Sequence, residues 1–162
     1  VSLREACNLV KKDRILQVID LLNESCRRLG IGNPRIAVAG LNPHASDNGL
    51  FGKEEETEII PAVIEARSWG LDVVGPLPPD TMFTKAIGGQ YDACVAMYHD
   101  QGHIPVKTLA PRSSVAISVG APIIFGTVAH GSALDIAGRN QADPGAMSLL
   151  FDHCIGFAKQ PL

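Results

Sequence analysis

The strongest constraint on the fold is a rhythm of short apolar runs, each closing on a polar loop. Ile36-Ala37-Val38-Ala39 stops at Gly40 and opens into Leu41-Asn42-Pro43-His44. Ala93-Cys94-Val95-Ala96-Met97 opens into Tyr98-His99-Asp100-Gln101-Gly102-His103, then Ile104-Pro105-Val106-Lys107. Runs this short and this apolar suit strands buried on both faces. Polar chemistry at the ends of such strands is where open α/β sheets place their ligands. Taken alone, residues 98–107 read equally well as a polar loop whose histidines bond to backbone. Two further polar loops, at His44 and at Ala129-His130-Gly131-Ser132-Ala133, shift the balance towards a site.

Helical patterns lie between the runs. In residues 13–29, Ile15, Val18, Ile19, Leu22, Cys26 and Leu29 recur at steps of three and four, with Asp13 first and Arg27-Arg28 near the end, as the helix dipole favours. Residues 54–69 predict a second helix with an acidic first turn and a kink at Pro61. Leu71-Asp72-Val73-Val74 predicts a strand, residues 75–79 a turn, and Asp80 the cap of a short helix. Two strands follow in tandem at 115–119 and 122–127. Residues 145–158 predict a last helix with Ala146, Leu149, Leu150, His153, Cys154 and Phe157 as its inner face. The class is therefore α/β, a mixed sheet flanked by helices. No internal repeat or interdomain linker interrupts it.

The chain has 162 residues, 46% of them hydrophobic, enough for a sizeable core. A net charge of −3 lacks the basic footprint of a nucleic-acid binder. No apolar run approaches the roughly 20 residues that cross a bilayer, and the start has no signal-peptide pattern. Cys7, Cys26, Cys94 and Cys154 are too scattered for a disulfide framework, which places the protein in the cytoplasm. The chain opens at Val1 rather than Met, as a fragment or a processed piece would.

His44 and His99 both follow a predicted strand, so their imidazoles can converge on one divalent metal. A catalytic zinc takes three protein ligands and keeps an open position, so two histidines leave the set short. Asp100 and Asp80 can accept a ligand histidine's second ring N–H, or bind metal or substrate directly; Asp80 serves equally as a helix cap. Lys107 is either a surface lysine or the partner of a carboxylate or phosphate. The loop His130-Gly131-Ser132-Ala133-Leu134-Asp135-Ile136-Ala137-Gly138 allows close backbone approach, and Asp135 can take a ribose hydroxyl. It reads also as a plain tight loop before the last helix. G-x-G-x-x-G, the P-loop, H-E-x-x-H and G-x-S-x-G are all absent.

As a set, Leu41-Asn42-Pro43-His44-Ala45, Gly75-Pro76-Leu77-Pro78-Pro79-Asp80-Thr81, Ala96-Met97-Tyr98-His99-Asp100-Gln101-Gly102 and the His130–Gly138 loop resemble the 4-hydroxythreonine-4-phosphate dehydrogenase family. The resemblance runs through essentially the whole chain. It implies that residues 1–162 form the C-terminal half of a two-domain metal- and NAD-dependent dehydrogenase, with the N-terminal half absent. It implies an isocitrate/isopropylmalate dehydrogenase-like fold, since the last loop is similar to the adenosine-binding loop of isopropylmalate dehydrogenases. His130, Gly131, Ser132, Ala133, Asp135 and Gly138 would then hold NAD.

The implied reaction, in pyridoxine biosynthesis, is oxidation of a secondary alcohol β to a carboxylate, followed by decarboxylation, in a homodimer with its site between domains and near the subunit interface. Of three family metal-ligand histidines, two match His44 and His99, and the third would fall immediately before Val1. The metal is Zn, Co, Mn or Mg. Lys107 matches a substrate-binding lysine, Asp80 joins it as a substrate contact, and Asp100 or Lys107 moves the proton. Two positions depart: Ala116 stands where the family has a substrate-binding Asn, and Phe125 where it has an Arg. His103-Ile104-Pro105 with Ala116 is similar to relatives that oxidise a cis-dihydrodiol dicarboxylate, and relatives acting on phosphorylated sugar acids share His-Ile-Pro. The alternative outside catalysis is a truncated chain that folds and dimerises without turnover.

Overall fold

All four residues of strand β1 (Ile36–Ala39) are buried, and the two faces of the strand are unequal. Ile36 and Val38 pack against Ile15, Leu16 and Ile19 of α2 (Lys12–Arg28) and against Ala62, Val63 and Ala66 of α3 (Ile60–Ser68). Ala37 and Ala39 point the other way, to Met82 of α4 (Pro79–Ile87). Period-two alternation thus puts large side chains towards two helices and small ones towards one. Burying Ile19, Ile36 and Val63 contributes about 1.5–3 kcal/mol each. The computed structural model describes residues 1–110 and 113–159. The chain divides into two compact units, Val1–His103 and Ile104–Leu162.

In the first unit β1 is the middle of a three-stranded parallel sheet, between β2 (Val73–Leu77) and β3 (Ala93–Val95). Ile36 pairs with Val73 on one side and Ala93 on the other. The register shifts between Ala37 and Ala39 along β2. Gly75 sits at that irregularity with φ 150°, and a Cβ there would lie 2.6 Å from the Val38 carbonyl oxygen. A short helix, α1 (Leu3–Leu9), precedes α2 and is capped by Ser2.

The helix expected at 54–69 forms, but its irregularity falls earlier than the expected kink. Residues Glu55–Ile59 make a π-helical turn, and Pro61 sits in the first turn of α3. Proline has no N–H for the Thr57 carbonyl, and the wider turn, with the Ile60 N–H on the Glu55 carbonyl, accommodates that loss. The α2 face shifts slightly from expectation: Leu16 is buried, whereas Leu29 is 47% exposed past the helix end.

The second unit holds β4 (Val115–Ser118) and β5 (Phe125–Val128), paired antiparallel, and α6 (Gly145–Lys159). The expected single mixed sheet is therefore two sheets, one parallel and one antiparallel. The tandem strands pair with each other because a short connection allows a hairpin, whereas parallel pairing needs a long crossover. Their half-buried residues Val115, Ile117, Gly126 and Val128 alternate with exposed ones, and α6 packs on the hairpin. Gly126 lets α6 come close: a Cβ there would lie 2.7 Å from Leu150 Cδ1. Ala146, Leu150 and Phe157 are buried, with Leu149, His153 and Cys154 half-buried, matching the face read from the sequence. Among the described residues, no helix is long and apolar enough to cross a membrane.

Candidate active site

Because β1, β2 and β3 run parallel, their C-terminal ends open on one edge of the sheet. His44 follows β1, Asp80 lies in the first turn of α4 after β2, and His99 and Asp100 open α5 (His99–Leu109) after β3. The chain leaves β1 for β2 on one side, while β3 lies on the other. This is the arrangement in which ligands settle beside strand ends.

The loops after β1 and β3 are tied by Gln101, which is buried. Its Nε2 donates to the Gly40 carbonyl at 2.9 Å, and its Oε1 accepts the Met97 N–H at 2.7 Å. The segments carrying His44 and His99 are thus brought together by one amide. The two rings, however, have different ring neighbours. His44 is exposed and tilted against Phe51 at 6.2 Å, whereas His99 stacks on His103 at 4.1 Å.

A buried carboxylate fixes the β1 loop. Glu55 Oε1 accepts the Leu41 and Asn42 N–H groups at 2.8 Å each, and Oε2 accepts from Asn42 Nδ2 at 2.9 Å. Asn42 Nδ2 also donates to Glu54 Oε2 at 2.8 Å, which holds the Glu54 carboxyl below its ordinary range. Beyond Pro43 the backbone turns left-handed for five consecutive residues, His44 through Asn48, with φ from 46° to 72°. Each such non-glycine residue costs about 1–2 kcal/mol. Ser46 offsets part of that cost: buried, it donates to the Gly52 carbonyl at 2.5 Å and accepts the Gly49 N–H at 3.0 Å. Backbone strain of this kind gathers at functional sites.

Glu55, Gln101 and Ser46 were not legible as site residues in the sequence. Glu55 stands among acids that read as a dipole-complementing first turn, and Gln101 as one more polar loop residue. The helix α5 itself was hidden by Gly102 and Pro105. Asp80 is exposed and makes no capping bond, because the helix starts at Pro79 and leaves it one residue inside. The expected cap is thus replaced by a first-turn acid.

His99 Nδ1 lies 2.7 Å from Asp100 Oδ1, so the ring donates there and leaves Nε2 for another partner. That donor set suits a first-row divalent metal. Among the described residues, no three His, Cys, Asp or Glu side chains are grouped to hold one. A groove of about 280 Å³, lined by Val1, Leu9, Val10, Arg14, Val18 and Met97 among others, opens two residues before His99.

The second unit carries the remaining candidates. Lys107 is exposed in the last turn of α5. In the loop, His130 Nδ1 lies 3.0 Å from the Gly131 carbonyl oxygen. Ala133 is left-handed at φ 47° and leads into a 3-10 turn, Leu134–Ile136, that exposes Asp135. Gly138 has φ 74°, and a Cβ on Gly131 would meet nothing within 4 Å, so a ligand can approach the backbone there. Ala116 and Phe125 both lie on the exposed side of the hairpin, Phe125 58% exposed.

The family model described as pyridoxal phosphate biosynthetic protein PdxA matches residues 1–152. The chain belongs to the PdxA family. Among curated PdxA relatives it is 46% identical over 149 residues to D-threonate 4-phosphate dehydrogenase of Pectobacterium atrosepticum, covering 92% of this chain and 46% of that one. A 4-hydroxythreonine-4-phosphate dehydrogenase of Klebsiella pneumoniae superposes with TM-score 0.86 at 44% identity, over 99% of this chain and 48% of that one. A terephthalate 1,2-cis-dihydrodiol dehydrogenase of Burkholderia xenovorans superposes with TM-score 0.75 at 36% identity, over 91% and 47%. The chain spans a little under half the length of these relatives.

Proposed function

We propose that this chain is the C-terminal half of an NAD- and divalent-metal-dependent dehydrogenase that oxidises and decarboxylates a phosphorylated β-hydroxy acid, with D-threonate 4-phosphate as the first substrate to test. The observation that carries the reading is the tie between the His44 and His99 segments at adjacent strand ends, in a chain 46% identical to an enzyme of that name. Lower identity, 36%, to the dihydrodiol dehydrogenase ranks a non-phosphorylated dicarboxylate second. We read the fold as isocitrate/isopropylmalate dehydrogenase-like, the assembly as a cytoplasmic homodimer, and the small hydroxy acid as the partner.

His44 and His99 would hold the cation through imidazole nitrogen, with Asp100 orienting His99. When bound, the cation (Zn, Co, Mn or Mg) supplies Lewis-acid stabilisation of negative charge on substrate oxygens, and NAD supplies the hydride acceptor. Lys107 holds an anionic group of the substrate, with Asp80 as a second contact. Asp100 or Lys107 takes the hydroxyl proton as the carbinol carbon loses hydride, and the resulting β-keto acid loses carbon dioxide. Gly131, Ser132, Ala133 and Gly138 bring backbone to the adenosine of NAD, His130 borders it, and Asp135 takes a ribose hydroxyl.

The test is NADH formation with D-threonate 4-phosphate, 4-hydroxythreonine 4-phosphate and a cis-dihydrodiol dicarboxylate, with each metal. Turnover of a phosphorylated acid that disappears in His99→Ala is expected; wild-type turnover in metal-stripped His99→Ala refutes the assignment. The lack of a three-ligand group among the described residues favours a second reading, a chain that folds and self-associates without turnover. No NADH from any substrate, together with a dimeric mass, selects it.

A further inference from the structure

We propose that the groove beside β3 seats a further β-strand, formed by the residues that immediately precede Val1 in the longer protein. The inference rests on the reading of this chain as the C-terminal half of a dehydrogenase, since it covers only 46% and 48% of two relatives. The groove lies within the first unit, between Ala6 and Leu9 of α1, Ile15 and Val18 of α2, and Val95 and Met97 at the end of β3. These walls are apolar, yet α1 has no buried residue. A helix of 7 residues is too short to stand alone in water, so its apolar side needs something to pack against. The strand edge beside it is also open: among the described residues β3 is the last strand of its sheet on that side. Ala93 N–H donates to the Arg35 carbonyl at 3.3 Å, towards β1, so the next amide, Cys94, faces the open edge. Such an edge is a template for one more strand.

Handedness selects this edge over that of β2. The chain runs from β1 through α3 to β2, and α3 lies on the same face of the sheet as α2. Parallel crossovers are right-handed, so a crossover on that face travels from the β3 side towards the β2 side. The return from β2 to β3 through α4 runs the opposite way on the opposite face, as the same hand requires. A strand that enters β1 through α1 and α2 must then start on the β3 side of β1. There, among the described residues, the outer edge of β3 is the open one. Strand direction agrees. Val1 shares the groove with Met97, just past the C-terminal end of β3. A strand laid parallel to β3 ends where Val1 begins, whereas an antiparallel one would end at the far side of the sheet. Alternate side chains of the parallel strand would fill the apolar groove beside α1.

The test follows amide hydrogen exchange by NMR in the chain as it stands and in a chain extended at Val1. The extension is about ten residues, enough for one strand and a turn. It is taken from the segment preceding the matched region of the Pectobacterium D-threonate 4-phosphate dehydrogenase. Cys94 is expected to exchange about tenfold or more slowly in the extended chain. Met97, whose N–H is already bonded to Gln101, is expected to change little. Leu9→Glu places a charge on the exposed wall of the groove; it should leave the Tm of the shorter chain unchanged and cancel the slowing in the extended one. Equal Cys94 exchange in the two chains overturns the proposal, as does slowing confined to β2. Slowing that grows with protein concentration and accompanies a dimeric mass gives the edge to a second copy and also overturns it. NADH formation by the longer protein is scored separately. Turnover with unslowed Cys94 sinks the strand and keeps the dehydrogenase reading; slowed Cys94 without turnover does the reverse.

Discussion

The two units hold their polar loops by different means. In Val1–His103 the loops are pinned from below by buried polar side chains: Glu55 under Leu41 and Asn42, Ser46 inside the left-handed turn, and Gln101 between the ends of β1 and β3. In Ile104–Leu162, among the described residues, the His130–Gly138 loop carries only short-range bonds, such as Ile136 N–H to the Ala133 carbonyl at 3.1 Å and Arg139 N–H to the Ile136 carbonyl at 3.1 Å. The first arrangement fixes in advance the backbone segments that lead to His44 and His99. The second presents backbone and small residues, which suits a ligand read through backbone contact. One chain thus holds two kinds of polar loop, one bonded to distant buried side chains and one bonded locally.

The sharpest way to break this contrast is Glu55→Ala. It leaves the Leu41 and Asn42 N–H groups and Asn42 Nδ2 without their carboxylate, at about 3–4 kcal/mol, measured by urea unfolding. Gly75→Ala comes next. The added Cβ would lie 2.6 Å from a backbone oxygen at φ 150°, and neither can yield cheaply, so about 2–3 kcal/mol is expected. In the second unit Gly126→Ala meets only side-chain atoms, Leu150 Cδ1 at 2.7 Å and Cys154 Sγ at 2.9 Å, and costs about 1–2 kcal/mol as they shift. Should Glu55→Ala cost no more than Gly126→Ala, the pinned loop is no more tightly held than its counterpart.

What the sequence made legible follows the same division. Strand β1 could be read because four apolar residues between Arg35 and Gly40 leave few alternatives, and α6 because its apolar spacing repeats over four turns. The candidate histidines could be placed at strand ends for the same reason. The pinning residues could not. Glu55 reaches a loop 14 residues earlier, and Gln101 one 61 residues earlier. Periodicity reports which face is buried and carries nothing about a polar partner across the fold. The grouping of strands was equally hidden, since apolar runs reveal burial but not which neighbour completes the ladder.

Acid sharpens the comparison at the opposite ends of the strands. Arg35, just before β1, grips Asp92, just before β3, through Nε and Nη2, each at 2.9 Å, and through its backbone N–H at 2.8 Å. The guanidinium holds the Asp92 carboxyl down to about 2, from 3.8. A lowered carboxyl pKa contributes stability that is full above its ordinary range and is lost as pH falls through the folded value. Asp92→Asn should therefore flatten the unfolding profile between about pH 4 and 2 and leave it parallel to wild type at neutral pH. The effect is small because the pair is exposed. An unchanged acid limb would remove the clamp from the account of this unit.

Gly131→Ala is expected to do least to the fold and most to the proposed cofactor. A Cβ there meets nothing within 4 Å and φ is not left-handed, so stability should stay within about 0.5 kcal/mol of wild type. NAD brought against that backbone would meet the new methyl group, and its Kd, followed by NADH fluorescence, should rise roughly tenfold, or about 1.4 kcal/mol. Lost stability with unchanged NAD affinity would make the segment a structural loop like those of the first unit. Unchanged stability with lost affinity makes its openness a binding property, because among the described residues nothing lies within 4 Å of the space that the glycine leaves.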